Sequence, residues 1–139
     1  MDKCIFCNII HHELPAKIIY EDDICIAFLD RSQTTRGHTL VIPKKHYPNF
    51  LEVDSETLQH MAIVCQSIAK QLMQTMQAAG CNIISNTNPV AGQTVMHFHI
   101  HIIPRYDEGD TFSITLQDNS ENIDIDRLHQ AIVKAQPLS

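Results

Sequence analysis

The sequence predicts an α+β fold: an antiparallel β-sheet with one long helix packed on it and a short helix near the C-terminal end. Two observations lead there. Short stretches rich in β-branched and aromatic residues are divided by polar turns, the pattern of strands. Between them, the segment 55–80, SETLQHMAIVCQSIAKQLMQTMQAAG, keeps an apolar stripe at three- and four-residue spacing, the pattern of an amphipathic helix.

In chain order, KIIYEDD (17–23), CIAFLD (25–30) and HTLVIPKK (38–45) read as the first strands. The helix follows, with Leu58, Met61, Ala62, Cys65, Ile68, Ala69, Leu72 and Met76 in its stripe. Asp54, Ser55 and Glu56 suit its start, where unpaired N–H groups and the helix dipole favour negative charge, and Gly80 suits its end. CNIISNTN (81–88) and MHFHIHIIP (96–104) make two more strands, the second closed by Pro104. The loop between them, NPVAGQT, contains Pro89 and Gly92. The last helix is expected around Ile125–Val133.

A chain of 139 residues is expected to form one domain, 1–139, with a single core. Its 44% apolar and 19% charged content is ordinary for a soluble globular protein. A net charge of -6 with no basic stretch argues against a nucleic-acid partner, which requires phosphate-neutralising charge. The start, MDKCIFCNIIHH, lacks the charged-then-apolar layout of a signal peptide, and no apolar run approaches membrane-spanning length. Five cysteines, an odd number without an export signal, argue against a disulfide framework. The expected location is the cytoplasm, with no membrane partner.

The chemistry concentrates in residues 95–105, VMHFHIHIIPR. In an extended strand, alternate side chains share a face, so His97, His99 and His101 fall on one side and Phe98, Ile100 and Ile102 on the other. Burying three imidazoles without partners costs a few kcal/mol for each orphaned polar group, so a purely structural role needs a partner for every ring. Two chemical readings stand beside a merely histidine-rich exposed face. Histidines two apart on a strand can share a metal ion. Imidazole is also a competent nucleophile near neutral pH, and neighbouring rings can hydrogen-bond phosphate oxygens.

HFHIHII has the order histidine, apolar, histidine, apolar, histidine, apolar, apolar. It resembles the motif of the histidine triad (HIT) family of nucleotide hydrolases and transferases. IFCNII, IIYEDD, AFLD, GHTLVIPKKH and AGQTVMHFHIHIIPR resemble further family segments, in the same order and spacing. Together they cover about residues 3–106, leaving 107–139 as a C-terminal extension. The pattern is most similar to bacterial members near the purine-nucleoside phosphoramidase branch.

The resemblance implies a hydrolase of nucleoside 5′-phosphate derivatives. Its substrates would be purine nucleoside phosphoramidates or aminoacyl-adenylate-type compounds, and it would release the nucleoside monophosphate through a nucleotidyl-histidine. A dinucleoside polyphosphate hydrolase is the close alternative, and a nucleotide-binding or scaffold protein with incidental hydrolysis another. By the same resemblance, His99 is the nucleophile, His101 and His38 contact phosphate oxygens, and Thr94 and Gln93 lie at phosphate and leaving-group contacts. Many relatives carry serine at the Thr94 position. Asp30 matches a ribose-binding position and Asn86 a polar position near the phosphate. Ile5, Phe6, Ile9 and Phe28 resemble the apolar clamp around the base, although by composition each is equally a core residue. A homodimer with one continuous sheet is implied as well.

Cys4 and Cys7 form a CxxC, a spacing that suits either a metal site or a redox pair. Some bacterial relatives and the related uridylyltransferases complete a zinc site with two histidines, at positions matching His46 and His97. Two thiolates and two imidazoles satisfy a closed tetrahedral zinc of structural type, and no catalytic cofactor is expected. His11, His12, His60 and His129 lack a spacing partner and read as solvated. Cys25, Cys65 and Cys81 read as buried small hydrophobes.

Overall fold

The structure is a computed structural model that describes residues 3–135. Its strands are β1 (Ile18–Glu21), β2 (Cys25–Leu29), β3 (Thr39–Pro43), β4 (Gly80–Ile84) and β5 (Ile100–Arg105). They form one antiparallel sheet in the order β1-β2-β3-β5-β4. Helices α1 (Ile5–Ile10), α2 (Ser55–Met76) and α3 (Ile125–Ala135) complete the α+β architecture. No helix among the described residues is long and apolar enough to cross a membrane.

β2 and β3 pair residue for residue, from Cys25 opposite Pro43 to Leu29 opposite Thr39, and are buried on both faces. Strand alternation divides their side chains between two cores. Ala27 and Val41, with Ile100 and Ile102, face Met61, Val64, Cys65, Ile68 and Leu72 of α2. Ile26, Phe28, Leu40 and Ile42 face Phe6 and Ile9 of α1. The sheet is therefore a middle layer, and the α1 side carries the chemistry.

α2 begins where expected. Asp54 caps it by accepting from Thr57 N–H at 2.7 Å, and the Tyr47 hydroxyl donates to the same carboxylate at 2.5 Å. It ends before Gly80, at Met76, because Gln77 turns left-handed (φ 55°) and Ala79 N–H already donates to Arg105 O at 2.8 Å. The neighbouring strand captures the chain there, and Gly80 opens β4.

Both late strands are shorter than the sequence predicts. β4 stops at Ile84, after which Ser85 turns its hydroxyl to the His99 carbonyl at 3.1 Å. β5 begins at Ile100 because Pro43, at the end of β3, brings no N–H to the ladder. The Pro43 carbonyl is taken instead by His97 Nε2 at 3.0 Å. Pro104 lies inside β5, opposite Cys81, and its carbonyl accepts from the Thr35 hydroxyl at 2.6 Å.

Candidate active site and metal-ligand cluster

The triad histidines share the sheet face covered by α1, while Phe98, Ile100 and Ile102 join the core beneath α2. His97 is fully buried and His99 nearly so, yet every described buried polar side-chain atom has a hydrogen-bond partner. The burial cost of the imidazoles is offset by specific contacts, and these contacts fix which nitrogen carries each proton.

His99 Nδ1 lies 2.8 Å from the His97 carbonyl oxygen. A carbonyl can only accept, so Nδ1 carries the proton and Nε2 is left with its lone pair. Burial lowers the pKa of this imidazole, against the opposing effect of that hydrogen bond, and keeps the ring neutral. His101 stands beside it, ring centroids 4.9 Å apart, and burial together with His99 and His38 pushes its pKa down to about 4.

His99 and His101 open onto a pocket of about 900 Å³. Its apolar wall contains Ile5, Phe6, Ile9 and Phe28, joined by Leu40 and Val95, two residues the sequence did not single out. Asp30 and Thr94 lie on the same wall as polar groups. The half-buried Asp30 carboxylate accepts from Ser32 N–H at 2.8 Å, which aims it from the end of β2.

His38 stands outside that wall, against His101. Its Nδ1 accepts from Thr34 N–H at 3.3 Å, so its proton sits on Nε2, 3.0 Å from His101 Nδ1 and 3.6 Å from Asp30 Oδ2. His101 Nδ1 accepts in turn, and its own proton sits on Nε2. Thr34 N–H is the donor that sets this order, and nothing in the sequence pattern marks it.

Two predicted substrate contacts lie elsewhere. Gln93 is buried, with its amide donating to the carbonyls of Pro48 (2.7 Å) and Val95 (2.9 Å) and accepting from Asn88 N–H (2.7 Å). Those bonds use the amide to hold the loop that presents Thr94. Asn86 donates to the Gly92 carbonyl at 3.4 Å, bracing the same loop, and is absent from the pocket wall.

At the far side of α1, Cys4, Cys7, His46 and His97 place one donor atom each within 4.8 Å of one another. Cys4 Sγ is 3.3 Å from His97 Nδ1, and Cys7 Sγ lies 3.5 Å from His46 Nδ1 and 3.6 Å from His97 Nδ1. Tetrahedral bonds of about 2.3 Å to sulfur and about 2.05 Å to nitrogen require donor separations of about 3.3 to 3.8 Å. His97 Nε2 donates to Pro43 O, which leaves Nδ1 as a lone pair, 3.1 Å from His46 Nδ1. Facing nitrogen lone pairs at that distance need a cation or a proton between them. The donor set fits a metal ion.

Two other donor groups fit less well. Asp30, His38 and His101 also meet, but His38 Nε2 carries a proton and cannot ligate in this tautomer. Asp22, Cys25 and His60 meet around a carboxylate already engaged by the Tyr20 hydroxyl (2.7 Å), Ile24 and Cys25 N–H groups (both 2.8 Å) and His60 Nε2 (2.6 Å). His60 is thereby half-buried rather than solvated, and Cys81 proves half-buried.

Comparison with known proteins gives concordant results. The HIT domain model matches residues 11–108. A HIT family protein from Bacillus subtilis has a solved structure that superposes with a TM-score of 0.91 at 38% identity, covering 99% of this chain and 100% of that one. A zinc-bound histidine triad family protein from Mycobacterium smegmatis superposes at 0.75 with 38% identity, covering 96% of each chain. An adenylylsulfatase of Arabidopsis thaliana is 38% identical over 104 residues, 75% of this chain and 53% of that one. With one family spanning the strands, the loop and the histidines just described, the chain belongs to the HIT domain family.

Proposed function

We propose that this protein hydrolyses nucleoside 5′-phosphate derivatives of the phosphoramidate or acyl-adenylate type, releasing the nucleoside monophosphate. The observation that carries the reading is the His99 tautomer: Nδ1 tied to the His97 carbonyl at 2.8 Å and Nε2 unprotonated at the pocket. His99 Nε2 attacks the α-phosphorus, and the bond from phosphorus to the leaving group breaks as the new P–N bond forms. The His97 carbonyl then faces an imidazolium and stabilises its charge. His101 Nε2–H donates to a phosphate oxygen, with His38 holding that tautomer. The departing amine or oxygen takes a proton relayed through the Thr94 hydroxyl, and the water that later attacks the phosphorus gives one back. Water attacks the nucleotidyl-histidine, returning His99 to its starting state. Ile5, Phe6, Ile9 and Phe28 enclose the base, and Asp30 accepts from the ribose hydroxyls. The adenylylsulfatase relative supports an adenylylated substrate.

Cys4, Cys7, His46 and His97 are the residues that would hold a zinc ion, which would supply a structural cross-link between segments far apart in sequence. The zinc-bound relative supports that choice of metal. We further propose a homodimer built across β4. That strand is one of the two edges of the sheet, and Ile83 on it and Ile63 on α2 are exposed apolar residues. The proposed setting is the cytoplasm.

The test is direct. Acid-quenched enzyme turning over an adenosine phosphoramidate should carry one nucleotidyl group on His99. His99→Ala should lose at least about 1,000-fold in turnover while still binding the monophosphate. An adduct on another residue, or near-normal turnover by the variant, rules out the nucleophile.

A further inference from the structure

We propose that Phe6 couples the metal-ligand cluster to the nucleoside pocket, so that zinc and a nucleoside monophosphate each strengthen the binding of the other. The inference rests on the nucleotide and zinc readings above. It starts from α1, which is only six residues long. A helix that short has no stability of its own in water, so its position must come from what it touches. Cys4 is its N-cap, its sulfur accepting from Cys7 N–H at 3.3 Å, and Cys7 lies one turn on. Two of the four donors therefore bracket Ile5 and Phe6, the residues α1 contributes to the pocket wall together with Ile9.

Phe6 spans the interval. Its ring lies edge-on to His97 at 5.8 Å, to His99 at 5.1 Å and to Phe28 at 5.7 Å. One buried side chain thus touches a metal donor, the nucleophile and the opposite wall of the base pocket. A second connection runs through the backbone, because the residue whose Nδ1 faces the cysteines also supplies the carbonyl that holds His99. Fixing α1 at the cluster orders Phe6 before the nucleoside arrives, which lowers the ordering cost of binding. Linkage then requires the nucleoside to tighten zinc by the same factor.

The experiment measures both arms. Zinc affinity is read by competition with a chromophoric chelator, with and without saturating AMP or GMP, whichever binds more tightly. Nucleotide affinity is read by calorimetry on zinc-loaded and chelator-treated protein at low temperature, with circular dichroism confirming that both are folded. We expect about a tenfold effect in each direction, equal within error. Phe6→Leu should keep a filled zinc site and reduce both factors towards one.

Equal nucleotide affinity with and without zinc overturns the coupling and leaves the nucleotide reading standing. Zinc-loaded protein that binds neither nucleotide overturns both. Stripped protein that unfolds shifts the decision to loaded Phe6→Leu. If saturating nucleotide still protects zinc in that variant as in the wild type, the link runs through global folding and the role of Phe6 is overturned. Loss of protection supports it.

Discussion

His38 Nε2 and His101 Nδ1 lie 3.0 Å apart, and Thr34 N–H approaches the far nitrogen of His38 at 3.3 Å. A backbone amide cannot accept, so with Thr34 N–H on Nδ1 the His38 proton falls on Nε2, and the Ser32 carbonyl also meets the His38 ring. His101 faces the pocket with a proton on Nε2, and a second proton on its Nδ1 would oppose the Nε2–H of His38.

This arrangement predicts the acid side of the pH profile. His101 is held neutral with a pKa near 4, and burial also lowers that of His99, which must be unprotonated to attack. Hence kcat/KM should persist below the ordinary imidazole value of about 6.5 and fall when the first of the two rings gains a proton. Stability follows the same sign. The unfolded chain binds a proton at His101 that the folded chain refuses between about pH 6.5 and 4, so this contribution is whole above 6.5 and is lost as pH falls through that window. His38→Ala removes the orienting donor and part of the burial. It should raise the acid limb and cost roughly ten- to a hundredfold in kcat/KM, as losing a partner that orients a working imidazole does. A wild-type limb near 6.5 would contradict the assignment.

Gly37 connects this pair to the core. Its φ of 93° is left-handed, and a Cβ there would lie 3.2 Å from Pro104 Cγ and 3.4 Å from Met76 Cγ. Gly37→Ala should destabilise by about 1–3 kcal/mol, through backbone strain and crowding beneath His38. Urea unfolding checks this. An unchanged midpoint would mean that the loop relaxes without cost.

The two faces of the histidine strand were legible in the sequence, because alternation is enforced by the backbone and needs no knowledge of what packs against it. By contrast, β2 and β3, apolar along their length, showed themselves as strands without showing which core each side chain joins. α1 was missed although Ile5, Phe6, Ile9 and Ile10 have helical spacing, since a single turn and a half capped by cysteine lies below what pattern can separate from loop. Strand ends were misplaced where a neighbour decides them, as Arg105 does for Ala79 and Pro43 for the start of β5. The shared face of His99 and His101 followed from alternation, whereas the grouping of Ile5, Phe6, Ile9 and Phe28 on one wall and of Cys4, Cys7, His46 and His97 in one cluster was expected from the family resemblance alone. Gln93 and Asn86 did not, because an amide in a loop serves the loop or a ligand equally well until its hydrogen bonds are known.

Thr94 is exposed on the pocket wall, and Gln93 beside it anchors the loop. Thr94→Val keeps the shape and removes the hydroxyl. Basic amine leaving groups need a proton as the P–N bond breaks, so they should slow by about 100-fold, and acidic leaving groups by far less. The slope of log kcat/KM against leaving-group pKa is the measurement. A uniform drop across the series would remove Thr94 from this step.

Cys4→Ser separates the two duties of Cys4. Serine is a strong helix N-cap, so the bond to Cys7 N–H is replaceable, whereas the soft thiolate donor is not. Wild-type protein should contain about one zinc per chain, and the variant should lose it. The melting temperature should drop by about 5 to 10 °C, the shift that roughly 2 kcal/mol produces in a domain of this length, because the ligands tie together segments far apart in sequence. At low temperature, kcat at saturating substrate should largely survive while KM rises, since the cluster holds α1 and donates nothing to the reacting phosphorus. A catalytic metal would behave otherwise, with kcat vanishing on its removal and returning on its replacement. Wild-type protein purified without metal, with Cys4 and Cys7 titrating as independent thiols, would remove the cluster from the argument and leave His97 Nδ1 facing His46 through a proton alone.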